Sequence, residues 1–137
     1  MKAYLDSSSF AKRFVDEVGS DKVEAICAEA TALGLSVLCV PEIVSALNRR
    51  RREHTLTPAQ YATAKRSLID DVRDADIINL TASVVGSSIT VLEASAIRSL
   101  DALHVACALE WEADLFVSSD NRQLAAAKRV GLKTKKI

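Results

Sequence analysis

The chain has 137 residues, of which 49% are hydrophobic and 26% are charged. This length and composition are typical of a single folded domain with its own core, and they exclude a disordered chain. Aromatic residues make up only 4%, which argues against a surface that stacks several bases. Eighteen basic residues balance eighteen acidic ones, so the net charge by itself does not indicate a nucleic-acid partner.

The cysteines, Cys27, Cys39 and Cys107, are far apart, and the chain has only two histidines. This pattern argues against a zinc site of the Cys/His type, and free thiols suit a reducing compartment. The longest uncharged run, residues 77–92, is too short and too polar to span a bilayer, and no secretory signal is visible. We therefore expect a cytoplasmic protein without a membrane partner.

The first elements in chain order are a strand at Lys2–Asp6, a helix at Ser7–Val15, a helix from Ser20 to Gly34 and a strand at Ser36–Val40. Ser20 is a favourable N-cap and Gly34 a favourable helix stop. The apolar, β-branched residues of Ser36–Val40 favour a strand. Pro41 then opens a helix, because proline is tolerated in the first helical turn.

Thr57-Pro58-Ala59-Gln60 resembles a capping box and predicts the start of a long amphipathic helix. The elements expected after it are a strand at Asp76–Leu80, a helix at Ala82–Ile97, a helix at Leu100–Trp111 capped by Ser99, a strand at Asp114–Ser118, a helix at Asn121–Val130 and a strand at Leu132–Lys136. Strands that alternate with helices predict a three-layer α/β fold. We expect one domain over residues 1–137, with a central parallel sheet flanked by helices.

Four acidic residues stand apart from those on polar helix faces: Asp6, Glu42, Asp101 and Asp120. Three of them follow predicted strands, and the carboxyl ends of parallel strands meet at one edge of a sheet, where ligands bind. Asp101 can join them if its helix begins at that edge. Clustered carboxylates without Cys or His partners favour Mg²⁺ or Mn²⁺, a chemistry suited to phosphodiester hydrolysis. Ser118 could add a hydroxyl that holds a ligand, a water or a phosphate oxygen.

An alternative explanation needs no metal. All four acidic residues also lie at or near a helix N-terminus, where backbone amides and the helix dipole favour a carboxylate. Asp120 is the most cap-like of the four. Asp101 is the least easily explained in this way, because it begins an apolar helix with no other charge before Glu110.

Four blocks resemble those of the PIN-domain nucleases, and most closely the VapC-type toxin ribonucleases: Tyr4-Leu5-Asp6-Ser7-Ser8-Ser9, Pro41-Glu42-Ile43-Val44-Ser45-Ala46-Leu47, Leu100-Asp101-Ala102-Leu103-His104-Val105-Ala106 and Val117-Ser118-Ser119-Asp120. They occur in order and span nearly the whole chain. Serine at position 118 is a mild departure, since the family often has threonine there.

The resemblance implies an endoribonuclease that uses Mg²⁺ or Mn²⁺ to activate water. It assigns metal binding and catalysis to Asp6, Glu42, Asp101 and Asp120, and a supporting role to Ser118. Asp120 would complete the pocket or hold a second metal. It also implies an RNA substrate, a cognate antitoxin that inserts a segment into the acidic groove, and a homodimer.

Two other functions remain open from the residues alone. A PIN-like binding module would use the same acids to bind metal, RNA or a partner peptide without cleavage. A phosphate-receiver domain shares the α/β architecture, but no lysine follows the late strands as its chemistry requires.

Two further features lie close to the predicted site. Arg49–Arg52 is either a phosphate-contacting patch or a solvated helix end, and at most two of its four side chains can face one groove. His104 lies one helical turn after Asp101, where we expect it to pack or to orient the site through a hydrogen bond.

Overall fold

Five parallel strands form the single sheet of the fold. A computed structural model describes residues 1–137. Its elements are β1 (Lys2–Leu5), α1 (Ser7–Ala11), α2 (Ser20–Glu29), β2 (Ala32–Ser36), α3 (Cys39–Arg52), α4 (Pro58–Val72), β3 (Asp76–Ile78), α5 (Ala82–Ala94), α6 (Ser99–Glu110), β4 (Leu115–Ser118), α7 (Asn121–Arg129) and β5 (Thr134–Lys136). The strands lie in the order β3-β2-β1-β4-β5, and the predicted parallel sheet with interleaved helices is confirmed.

The sheet has a separate hydrophobic core on each face. Side chains alternate between faces along a strand, so Ala3 and Leu5 of β1 enter one core while Tyr4 enters the other. Helices α1 to α4 cover the first face and α5 to α7 cover the second. Leu35 and Phe116 are fully buried, as expected for strands covered on both sides. The molecule is therefore a three-layer α/β structure.

The second strand lies four residues earlier than predicted. It spans Ala32–Ser36, so Ser36–Val40 is not a strand and α2 ends at Glu29. Gly34, interpreted as a helix stop, pairs with Tyr4 in the middle of the sheet. A Cβ atom at Gly34 would lie 2.6 Å from the ring of Trp111, so the close approach of that ring requires glycine.

Some predicted helix starts are confirmed and others are wrong. Thr57 forms the predicted capping box with Gln60. Gly19, not Ser20, is the N-cap of α2, and the Ser20 hydroxyl instead donates to the carbonyl of Lys12. Arg98, not Ser99, precedes α6, and it makes no capping hydrogen bond.

Most other element ends differ from the predictions by a few residues; β3 ends at Ile78 and β5 begins only at Thr134. Helix α1 is shorter than predicted because its regular turns stop at Ala11. Helix α3 begins at Cys39, which places Pro41 inside the first turn, where its missing N–H has no intrahelical partner to lose. The helix predicted from Ala82 is confirmed and ends at Ala94.

The strand order separates this fold from that of a phosphate receiver. Receivers have the order 2-1-3-4-5, whereas here β1 lies between β2 and β4. The direction of strand addition reverses at β1, so the β1–β4 boundary is the switch point at which ligands of open α/β sheets bind. None of the helices combines the length and apolar character that crossing a bilayer requires.

Candidate active site

An acidic cleft of about 430 Å³ opens at the carboxyl ends of β1 and β4. All four of the predicted acidic residues line it: Asp6, Glu42, Asp101 and Asp120. They come from the end of β1, the first turns of α3 and α6, and the N-cap of α7. The structure thus brings together four carboxylates of which the first and last are 114 positions apart in the sequence.

Asp6 is the most enclosed of the four carboxylates, with 6% of the residue exposed. Its Oδ1 atom accepts the Ser9 backbone N–H at 2.9 Å, which caps α1. Its Oδ2 atom accepts the hydroxyls of Ser8 at 3.1 Å and Ser118 at 3.0 Å. These donors hold the carboxylate at the base of the cleft. Asp6 is therefore both the N-cap of α1 and a residue that lines the cleft.

The sequence predicts Glu42 two residues beyond a strand that ends at Val40, and this is wrong. Glu42 lies in the first turn of α3, six residues after β2 ends. Its Oε1 atom lies 2.7 Å from Nε2 of His104 and accepts the Ser7 hydroxyl at 2.8 Å. Burial by itself raises the pKa of Glu42, but the hydrogen bonds from His104 and Ser7 outweigh it and hold that pKa below its usual value. Glu42 is therefore an ionised carboxylate with one oxygen fixed.

Asp101 lies in the first turn of α6, which begins at the cleft, so the condition set from the sequence is met. Its Oδ2 atom lies 3.4 Å from Nε of Arg98. The Arg98 side chain is 87% exposed, so this ion pair contributes little to stability. A divalent cation could therefore displace the Arg98 guanidinium from Asp101 with little loss of stability.

Asp120 is the N-cap of α7, as its sequence position suggested, and it is the most exposed of the four acids. Its Oδ1 atom accepts the backbone N–H of Arg122 at 2.8 Å. The buried Ser118 hydroxyl accepts the Asp120 backbone N–H at 3.0 Å and lies within 3.0 Å of Asp6 Oδ2. Ser118 therefore links the acids that follow β1 and β4.

The donor set suits a hard divalent cation, although the cleft is open. Glu42, Asp101 and Asp120 each leave one carboxylate oxygen without a protein donor. No three acidic side chains converge closely enough to enclose an ion, as expected for carboxylates that repel one another. Burial raises the pKa of the neighbouring Cys39 thiol to about 12, so sulfur does not compete as a ligand.

The arginines at the end of α3 differ in the groups they contact. Arg50 pairs with Glu17 at 2.9 Å, and Arg51 lies over the ring of Tyr61. Arg49 instead lines the acidic cleft on the same helix face as Glu42, two turns further on, and it has no acidic partner within ion-pair distance. The guanidinium of Arg49 thus places a positive charge beside the acidic residues of the cleft.

The model of the PIN domain family matches residues 3–129, which include all four acidic residues. The chain belongs to the PIN-domain family. VapC49 of Mycobacterium tuberculosis, which is named a ribonuclease, is 35% identical over 106 residues, covering 77% of this chain and 74% of that protein. VapC47 of the same species is 28% identical over 137 residues, covering 96% and 93%. This PIN domain is of the VapC type, as its resemblance predicted.

Solved structures share the fold of this PIN domain. VapC20 of Mycobacterium tuberculosis, described as a toxin that cleaves the sarcin–ricin loop, has a TM-score of 0.69 at 16% identity, covering 90% of this chain and 94% of that one. The VapBC-1 structure from nontypeable Haemophilus influenzae has a TM-score of 0.72 at 10% identity, covering 99% and 98%. At these identities the likeness shows a common fold and no more.

Several residues of this PIN domain reach the acidic side chains without having been singled out from the sequence. Ser7 donates to Glu42, and Gln123 joins Ser118 to the backbone carbonyl of Asp101 at 2.8 and 3.3 Å. Tyr4 reaches the site through His104. Gln123 carries the clearest available signal, because it is an amide on the apolar face of an amphipathic helix.

Proposed function

We propose that this PIN domain hydrolyses phosphodiester bonds in RNA with Mg²⁺ or Mn²⁺ in its acidic cleft, as the toxin of a VapBC-type toxin–antitoxin pair. The observation that carries the proposal is the meeting of Asp6, Glu42, Asp101 and Asp120 around one cleft at the switch point of the sheet. A preference for helix N-termini accounts for each acid separately but not for all four lining one cleft. The ribonuclease names of VapC49 and VapC47 support RNA as the substrate.

Asp6, Glu42 and Asp101 would hold the principal cation directly or through water, and Asp120 would complete the pocket. When bound, the cation stabilises negative charge on the phosphate and promotes the ionisation of water. The protein contributes orientation: the hydroxyls of Ser8 and Ser118 hold Asp6, and His104 with Ser7 holds Glu42. Because these partners are in place beforehand, the carboxylates need little reorganisation to act.

An RNA backbone needs positive charge near this acidic centre. Arg49 lies on the same face of α3 as Glu42, seven residues further on, which places its Cα about 10 Å along the helix axis. Its long side chain can therefore contact a phosphate beside the one at the acids. Because the chain as a whole is neutral, such local contacts would carry the electrostatic part of binding.

An antitoxin and a second copy are the partners that accompany this function. Two of the similar structures are a toxin–antitoxin complex from Klebsiella pneumoniae and VapBC2 from Rickettsia felis bound to a promoter DNA fragment. An antitoxin that places a basic segment in the cleft would neutralise the acids and exclude RNA. On α5, the exposed stripe Val85, Ile89 and Leu92 offers an apolar surface for a homodimer.

RNA cleavage by the purified, antitoxin-free chain tests the proposal. Total RNA is incubated with Mn²⁺ or Mg²⁺, and the controls are EDTA and the Asp101→Asn variant. Asp74→Asn, which removes an exposed carboxylate outside the cleft, is the matched variant that should retain activity. Discrete fragments that disappear with EDTA and with Asp101→Asn support the proposal, whereas cleavage that survives Asp101→Asn contradicts it.

The alternative is a PIN-like binding module that holds metal, RNA or a peptide without cleaving RNA. Its expected result is a folded wild-type chain that binds Mn²⁺ or the antitoxin and leaves total RNA intact. The same preparation therefore decides between the two functions.

A further inference from the structure

A buried polar chain connects the centre of the sheet to the acidic cleft. The Tyr4 hydroxyl on β1 lies 2.8 Å from Nδ1 of His104, and Nε2 of His104 lies 2.7 Å from Oε1 of Glu42. Tyr4 is fully buried and His104 is 2% exposed. Three elements that are distant in sequence thus contribute one side chain each to an unbroken line of hydrogen bonds, and no water is needed to complete it.

The direction of these hydrogen bonds follows from the chemistry of the groups. A phenol carries its proton at neutral pH, and the buried Tyr4 hydroxyl lies within hydrogen-bond distance of Nδ1 of His104, so it can donate to that nitrogen. A phenol that donates to Nδ1 leaves the ring hydrogen on Nε2, which then donates to the ionised Glu42. The buried residues therefore select one tautomer of His104.

The consequence for Glu42 is an asymmetric carboxylate. Its Oε1 atom receives the hydrogen bonds of both His104 and Ser7, whereas Oε2 has no protein donor. Without them, the terminal torsion of a partly exposed glutamate would rotate broadly. With them, one oxygen is fixed in the wall of the cleft and the other is left for a ligand.

We propose that Tyr4 and His104 are positioning residues that reserve Oε2 of Glu42 for the divalent cation. This inference rests on the proposed metal-dependent function, since it assigns a task within that site. Tyr4 also packs, with its ring stacked on Phe116 at a centroid distance of 5.7 Å. Tyr4→Phe keeps that ring and removes only the hydroxyl, so it separates positioning from packing.

The first test measures the tautomer of His104 by ¹⁵N NMR of the imidazoles in the metal-free wild-type chain at mildly alkaline pH. The chain has only two histidines, and a His54→Gln sample assigns both. The expected result is a neutral ring with its hydrogen on Nε2, a preference that Tyr4→Phe weakens. A hydrogen on Nδ1, alone or together with one on Nε2, overturns the inference, because Tyr4 would then not be the donor.

The second test measures Mn²⁺ affinity by calorimetry or by the electron spin resonance of free Mn²⁺. Loss of an outer partner of a metal ligand typically weakens binding about 10- to 100-fold, and we expect this for His104→Leu. His104→Gln, which keeps an N–H donor near the position of Nε2, should retain most of the affinity. Tyr4→Phe should show a smaller loss than His104→Leu. A role in packing alone predicts equal losses for Gln and Leu, and that outcome overturns the inference.

A double-mutant cycle identifies the residue through which His104 acts. In a Glu42→Gln background, His104→Leu should cause no further loss of Mn²⁺ affinity, whereas an undiminished loss there overturns the inference. A wild-type chain that does not bind Mn²⁺ would refute the metal site itself. The NMR measurement judges the Tyr4–His104 contact separately, so the two failures can be told apart.

Discussion

Gly34 and Trp111 provide a sharp test of how the sheet is packed. An alanine Cβ at position 34 would lie 2.6 Å from two atoms of the Trp111 ring and 2.9 Å from a third. The ring cannot move freely, because its N–H donates to Asp76 at 3.1 Å and Lys2 lies over its face. Relief therefore requires a displacement of about 1 Å in a packed layer.

The expected cost of Gly34→Ala follows from two opposing effects. Overpacking a filled site costs about 1–3 kcal/mol, and replacing glycine by alanine within a strand returns about 0.5–1 kcal/mol. We expect a net loss of about 1–2 kcal/mol in the free energy of unfolding, and a melting temperature lower by about 4–8 °C. Urea unfolding followed by circular dichroism is the assay, because Trp111 is the only tryptophan and takes part in the change.

A second substitution and a matched control complete the test. In a Trp111→Ala background the clash is absent, so Gly34→Ala should be neutral or mildly stabilising. Gly86→Ala on α5, where an added Cβ meets nothing within 4 Å, should stabilise the chain by about 0.5–1 kcal/mol. The reasoning is refuted if Gly34→Ala costs as much without Trp111 as with it.

Three further predictions concern the cleft. Arg49→Gln should weaken RNA binding and reduce its salt dependence by about one phosphate contact, while Arg52→Gln should have a smaller effect. Fluorescence anisotropy at several salt concentrations measures both, and equal effects of the two substitutions would contradict a phosphate contact specific to Arg49. Ser118→Ala should lower the free energy of unfolding by about 1–3 kcal/mol because it leaves buried polar partners unpaired, whereas Ser118→Thr should retain it; urea unfolding of both variants checks this. The folded state lowers the pKa of Glu42, so the ionised carboxylate stabilises the fold at pH values above the pKa of the unfolded state. The stability advantage of the wild type over Glu42→Gln should therefore vanish as the pH falls through the folded-state pKa. Unfolding measured without metal from pH about 7 to about 3 checks this, and an advantage that grows on acidification would contradict it.

The features that sequence predicts well here are those decided locally. The capping box at Thr57 needs only Gln60, three residues away, so the local sequence is enough to predict the start of α4. Asp6 and Asp120 are caps for the same reason. The gathering of carboxylates at one edge follows from alternating strands and helices, a pattern of the whole chain that survives errors in single elements.

The features that sequence did not predict depend on distant partners. The run Ser36–Val40 is apolar enough for a strand, and nothing local to Gly34 indicates that it lies in the strand, where it pairs with Tyr4 and lies against the ring of Trp111. Helix α6 begins without a side-chain cap, so the sequence could place Asp101 at the cleft only on the condition that its helix begins at that edge, which the structure meets. Likewise, the task of Gln123 is visible only once Ser118 and Asp101 lie beside it.

The central position of β1 has a consequence for the newly made chain. β1 is made before the other strands, but one of its two neighbours, β4, follows more than a hundred residues later. The hydrogen bond from Ser118 to Asp6 joins residues 112 positions apart, so the base of the cleft cannot close until β4 has emerged. A nascent chain therefore carries Asp6 for most of its synthesis without a finished cleft. The order of translation itself delays the proposed activity until β4 has been made.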